Sequence, residues 1–333
     1  MPTTKQKDSV ILAFGKRLRN REVMPFDEFM EFALYDKEIG YYTRPKQRVG
    51  RSEKTDFYTS SSLGPLWGEL IVDACKKILH QETLGHYTFV EIAAEPEESV
   101  LKGLKHPFGK SLTIRQGNEI KIPSPAIVYS NEWLDAQPFK RFRFCPESKT
   151  WHELGVSLEN NSFIDKILDP DLCSSMTETI FPKDYSNAYQ IDWPSGSIDI
   201  LDHLCKESWK GLFLTFDYGL SKQVLLRERP LGTARSYYRH VMEKDLLART
   251  GEQDITCHLC WDELLNVLDE REFSQRALSS QESFLMNHAS GKIQEIFSQA
   301  SDHPTSQKMQ TLKEIIHPVH MGTKFQALWG IRE

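Results

Sequence analysis

Three short apolar runs set the limits on how this chain can fold: Tyr87 to Ala93, Ala126 to Tyr129 and Leu212 to Phe216. Each is too short for a buried helix and ends abruptly in polar or turn residues, the pattern of strands buried on both faces of a parallel sheet. Helix-like spacings lie between some of them. The expected class is therefore α/β, a doubly wound sheet with ligands gathered at the carboxyl ends of the strands. That rule draws Glu91 to Glu95, Ser130 to Asp135 and Asp217 to Gly219 to one edge.

The rest of the chain arranges itself around these runs. At 333 residues there is enough chain for one large core with insertions or for two joined ones. Ile11, Leu12, Phe14 and Leu18, then Phe26, Phe29, Met30, Phe32, Ala33 and Leu34, predict two short helices, the second started by Pro25. A third helix is expected from Gly64-Pro65 to a point before Gly85, because apolar residues recur every three or four places from Leu66 to Leu79. Arg141 to Phe144 and Trp151 to Leu158 alternate as hairpin strands do, and Met321 to Trp329 reads as a turn followed by a closing strand. The expected division is a helical cover over 1–85 and a core over 86–333, with a β-hairpin lobe inserted at about 139–210.

Composition removes several classes of function. Hydrophobic residues make up 39% and charged ones 26%, mean hydropathy is -0.48, and no apolar run approaches a membrane span. The first residues lack a secretory h-region, so the cytoplasm is the expected compartment. A net charge of -6 gives no basic footprint for nucleic acid. The six cysteines are too scattered for a disulfide framework, and Cys257-His258-Leu259-Cys260 has no second pair at zinc spacing, so no metal site is expected.

Taken together, several motifs resemble the MidA-like methyltransferases, a bacterial and mitochondrial family with protein arginine methyltransferase members. They are Glu38-Ile39-Gly40-Tyr41-Tyr42, Asp56-Phe57-Tyr58-Thr59, Trp67-Gly68-Glu69-Leu70 and Asn131 to Pro138. Asp217-Tyr218-Gly219, Gly232 to Tyr237, Gly251 to Thr256 and Met321 to Phe325 complete the series in the family's order. The resemblance implies a Rossmann-like class I methyltransferase sheet, S-adenosylmethionine as cofactor, and a protein substrate or partner. It also leaves room for a homodimer. By the same resemblance Glu91, Ala93, Asp56, Thr59 and Asp217 would contact the cofactor, while Tyr41, Tyr237 and Asp254 would stand on the substrate side. Glu132, with Asn131 and Asp135, is the catalytic candidate, since a strand-end carboxylate can take an arginine guanidinium bidentately. The same three residues would serve equally as a strand cap and helix start.

The chain also departs from that family. Where the first strand normally ends in Glu-Leu-Gly-Pro-Gly-x-Gly, it reads Glu91-Ile92-Ala93-Ala94-Glu95-Pro96-Glu97, with every loop glycine gone. Only 33 residues (93–125) separate the first strand from Ala126, while a path of two helices, two strands and their loops needs roughly 45. One strand-helix unit should be missing, with a helix over Glu98 to Leu104, a strand over Leu112 to Gln116, and no acidic residue placed for ribose hydroxyls. Ser61-Ser62 stand where the family has Pro-Glu. These losses predict weak or undetectable cofactor binding. Two readings follow: a methyltransferase with impaired or lost activity, or a catalytically silent relative acting as an interaction or assembly factor.

Overall fold

The protein is described from a computed structural model covering residues 4–44, 64–81, 83–94, 98–115, 117–173, 180–300, 307–317 and 321–333. In chain order the first elements are α1 (Thr4–Leu18), β1 (Met24–Pro25), α2 (Phe26–Met30) and α3 (Pro65–Leu79). Then come β2 (Thr88–Ile92), β3 (Lys110–Ile114), β4 (Ala126–Asn131), β5 (Lys140–Cys145), β6 (Thr150–Glu159) and β7 (Ser162–Ile167). They are followed by β8 (Tyr189–Trp193), α4 (Ser195–Lys206), β9 (Gly211–Asp217), β10 (Gly219–Leu220) and α5 (Lys222–Arg227). Next are β11 (Arg235–Tyr238), β12 (Val241–Glu243), β13 (Asp254–Thr256), β14 (Leu259–Cys260) and α6 (Trp261–Glu270). The series closes with β15 (Gln275–Ser280), α7 (Gln281–His288), α8 (Ser290–Ala300), α9 (Gln307–Ile316) and β16 (Gln326–Arg332).

The chain forms two compact units, each assembled from three stretches: 1–57, 134–199 and 220–262 in one, 58–133, 200–219 and 263–333 in the other. This differs from the expected boundary at residue 85. The helix α3 belongs to the second unit, and the amino-terminal helices share the first unit with the hairpin lobe, whose strand β6 pairs with β1 at Met24↔Val156.

The second unit is built on a six-stranded sheet in the order β15-β16-β9-β4-β2-β3. The three apolar runs become β2, β4 and β9, and these pair in parallel, as do β2 and β3. β16 and β15 run antiparallel at the other side. Period-two alternation sends Ile127 and Tyr129 of β4 and Leu212, Leu214 and Phe216 of β9 into one core, where they meet Trp67, Leu70, Ile71 and Ala74 of α3. Phe284 and Leu285 of α7 and Leu312 and Ile315 of α9 complete it. Pro65 opens α3 at a position where its missing N–H costs nothing, and His80 closes it in the left-handed region after Lys76 and Lys77.

Between Ile92 and Ala126 the described residues hold one strand, β3, and no helix. The depleted path is as the length implies, but the helix expected over Glu98 to Leu104 is a turn, and the strand begins at Lys110 rather than Leu112.

In the first unit, β5, β6, β7, β8 and β1 make a five-stranded sheet, and β12-β11-β13 a second, smaller one. Its core is aromatic: Phe14, Phe26, Phe29, Phe32, Tyr41 and Phe139 are buried together, with Phe14 edge-on to Phe163 at 4.9 Å. No helix among the described residues is long and apolar enough to cross a membrane.

Candidate functional site

The carboxyl ends of β2, β4 and β9 carry the residues that the sequence singles out, and each is already engaged with its surroundings. Glu91 is buried near the end of β2, where its carboxylate accepts the Ser99 hydroxyl at 2.6 Å and the Val100 N–H at 2.9 and 3.1 Å. Burial raises its pKa against the opposing pull of those two donors and of the Arg115 charge. The carboxylate thus replaces the helix expected after β2 with an anchored turn. Ala93, two residues on, lies at φ 62°, and its N–H donates to the Ile114 carbonyl at 2.8 Å. The backbone keeps a glycine-type conformation there although a methyl group is present.

Asn131 ends β4 and donates from Nδ2 to the Glu132 carboxylate at 3.0 Å, while its buried Oδ1 has no partner among the described residues. Glu132 has φ 50°, and its N–H donates to the Phe216 carbonyl at 2.9 Å, extending the contact with β9 one residue past the strand. A left-handed residue directly after a strand turns its side chain out of the pleat alternation, which is the geometric reason Glu132 is half-buried rather than core. Asp217 ends β9, fully buried and opposite Gln326 of β16, and accepts the Tyr218 N–H at 2.8 Å.

Behind this edge the Trp67 indole donates to the Tyr129 hydroxyl at 2.8 Å. Burial, then the Glu91 charge and more weakly the Glu132 charge, holds the Tyr129 pKa well above the phenol range. Neither Trp67 nor Tyr129 stands out as a polar partner in the sequence, where Trp67 reads as an apolar helix position and a motif residue and Tyr129 as the end of an apolar run. Asp135, in the other unit, is buried, and its carbonyl accepts the Cys257 N–H at 3.1 Å.

That first unit gathers a different set. The Tyr42 hydroxyl donates to Asp254 at 2.9 Å, Tyr35 stacks on Tyr42 with centroids 5.5 Å apart, and the Tyr35 hydroxyl donates to the Ala136 carbonyl at 2.8 Å. Burial first, and then the charges of Asp254 and Asp135, raises both phenols well above their ordinary pKa. The substrate-side candidate Asp254 and the catalytic candidate Asp135 therefore act on one pair of tyrosines. Tyr35, which lies seven residues before Tyr42, is not singled out in the sequence, and since its helical turn ends at Asp36 no helical spacing links the two rings. Tyr41 is instead a core residue, edge-on to Tyr42 at 5.0 Å. Tyr237 lies on β11 opposite Asp254 of β13, with its hydroxyl 3.4 Å from the Arg235 guanidinium.

The motif from Gly232 has a structural explanation. Buried Asp192 accepts the N–H groups of Thr233 and Ala234, each at 2.8 Å, and its other oxygen takes the Arg141 Nε at 3.0 Å. Gly232 is at φ 74°, and a Cβ there would lie 2.1 Å from the Asp192 carboxylate. His258 is pushed down to about 3 by burial and the nearby Arg235 and Arg229 charges, while Cys257 and Cys260 are buried thiols. Among the described residues no group of three or more His, Cys, Asp or Glu converges as metal ligands would. Asp56, Thr59, Phe57, Ser61, Ser62, Glu95 and Glu97 lie outside the described residues.

The sheet end can be tested against S-adenosylmethionine. A class I site needs close backbone approach after the first strand and a carboxylate after the second. Here a methyl group occupies the left-handed position at Ala93, the Glu91 carboxylate is taken up by Ser99 and Val100, and the residue directly after β3 is the cation Arg115, whose own N–H is held by the Asn118 side chain at 2.9 Å. Among the described residues, those at the ends of β2 and β3 do not offer the cofactor's usual contacts.

Comparison with known proteins gives the fold a wider setting. A family model described as "putative S-adenosyl-L-methionine-dependent methyltransferase" matches residues 63–277. No curated protein matches the chain. Two solved structures from Burkholderia thailandensis share its fold. One is a "likely methyl transferase" bound to S-adenosyl-homocysteine, 20% identical with a TM-score of 0.84, the match covering 100% of this chain and 95% of that one. The other, an uncharacterized protein, is 18% identical with a TM-score of 0.80, covering 100% and 94%.

Proposed function

The chain belongs to that family of S-adenosyl-L-methionine-dependent methyltransferases, and on this premise we propose that it keeps the family's sheet while holding the cofactor weakly, so that methyl transfer is impaired or lost. The observation that carries this reading is the state of the β2 and β3 ends, where a methyl group, an engaged carboxylate and a guanidinium stand in place of space, a free acceptor and a carboxylate. What activity survives, or what partner is bound, follows from Glu132. Its carboxylate has the shape to pair with both outer nitrogens of an arginine side chain, and Asn131 at 3.0 Å holds one of its oxygens in place. We therefore infer a protein substrate or partner that offers an arginine, in line with the MidA-like motif series.

A second reading, a silent relative that works only as an interaction or assembly factor, is favoured by the same sheet end, since nothing at Glu132 requires the cofactor for binding. Two measurements address these readings. Calorimetric titration of the purified protein with S-adenosylmethionine should give little or no heat, and a micromolar dissociation constant would overturn weak binding. With arginine-containing peptides, Glu132→Gln should weaken binding by about tenfold or more while leaving the thermal midpoint nearly unchanged. A variant that unfolds would mark Glu132 as structural.

A further inference from the structure

Among the described residues the six-stranded sheet ends on β3, a strand with exposed side chains. Among the described residues β3 pairs only with β2, through five uninterrupted positions from Thr88↔Lys110 to Ile92↔Ile114. The Ile114 carbonyl accepts from Ala93, so Lys110, Leu112 and Ile114 turn their backbone groups toward β2, and Ser111 and Thr113 turn theirs outward. Lys110 to Thr113 are all exposed, and Leu112 is 46% exposed, unusual for a leucine in the middle of a strand. The strand carries no proline and no bulge, and one lysine is its sole charged residue, so most of the devices that normally blunt an edge are missing.

We propose that this edge pairs with its own counterpart: two copies of the chain align their β3 strands antiparallel about a two-fold axis at Leu112, joining two six-stranded sheets into one. The pairing is self-complementary. Ser111 of one copy faces Thr113 of the other, and because both point outward each pair exchanges two backbone hydrogen bonds, four in all about the axis. Leu112 faces Leu112 in the closer, non-hydrogen-bonded position, where each covers the other's exposed side chain. Lys110 faces Ile114, and Arg115 faces Gly109, so no cation opposes a cation. The segment 98–121 still carries Lys102, Lys105, Lys110, Arg115 and Lys121 against Glu98 and Glu119, so the two edges repel at long range and added salt should strengthen the dimer.

This inference stands on the sheet alone and is independent of cofactor or substrate. Sedimentation equilibrium of the full chain should show a reversible monomer–dimer exchange that shifts toward dimer as ionic strength rises. Leu112→Lys, with folding checked by circular dichroism, should weaken it by about tenfold or more. Leu112→Cys should give a disulfide-linked dimer on mild oxidation, because the two Cα atoms would lie about 4.5 Å apart. Lys110→Cys should not, since the two copies of residue 110 would be offset by four strand positions, about 13 Å. A chain that stays monomeric at all concentrations and salts, a Lys110→Cys variant that cross-links as readily as Leu112→Cys, or a monomer that instead pairs this edge with an extended acidic peptide would overturn the proposal.

Discussion

An alanine at φ 62° is the most informative single residue in the molecule. The left-handed region costs a residue bearing a Cβ about 1 kcal/mol, and Ala93 accepts that cost because its N–H is fixed to Ile114 while Glu91, two residues earlier, is fixed to Ser99 and Val100. Ala93→Gly should therefore stabilise the protein by about 1 kcal/mol in denaturant unfolding. A neutral or destabilising result would mean that the methyl group makes compensating contacts. The sequence marks Glu91 and Ala93 as a pair of interest, but it cannot show that the carboxylate is occupied. The donor that occupies it, Ser99, lies eight residues away, beyond any local spacing rule. Glu132 is legible as a strand-end carboxylate, whereas its left-handed backbone is not, because glutamate gives no local signal for that conformation.

At the scale of elements, two effects compete at Gly68 of α3. Alanine favours a helix interior over glycine by about 1 kcal/mol, yet a Cβ on Gly68 would lie 2.1 Å from the Val100 carbonyl oxygen and 2.5 Å from the Leu104 side chain. Val100 is held on its other side by Glu91 and cannot easily retreat. Overpacking of 1–3 kcal/mol, at its upper end here, outweighs the propensity gain, so Gly68→Ala should lower stability by about 2 kcal/mol, read from the shift in denaturation midpoint. An unchanged or higher midpoint would show that the turn is free to move. The element pattern itself is legible where burial is uniform: β2, β4 and β9 fall within a residue or two of their apolar runs. It fails between residues 98 and 115, where an exposed edge strand has no clean alternation to announce it and a buried glutamate, rather than helix propensity, decides the turn.

For the whole molecule the decisive fact is that each compact unit is assembled from three separate stretches, so five passages of the chain link them and neither can be cut out as one continuous piece. The sequence suggests a cover followed by a core because local patterns are read in order, while strand pairings such as β1 with β6 join residues about 130 positions apart. The sheet of the second unit repeats this on its own scale: β16 is the last of its strands in the chain, yet it lies between β9 and β15, and it is the only strand partner of β15 among the described residues. Removing residues 326–333 should leave β15 unpaired and abolish cooperative unfolding of that unit, measured as lost amide protection in β9. Retained protection there would show that the parallel strands suffice alone. In the cell this ordering makes assembly a late event. During synthesis β9 precedes β16 by about 110 residues, so its edge stays unpaired until that strand has been made, and a chain interrupted between the two is a sticky, incomplete sheet left to chaperones or proteases.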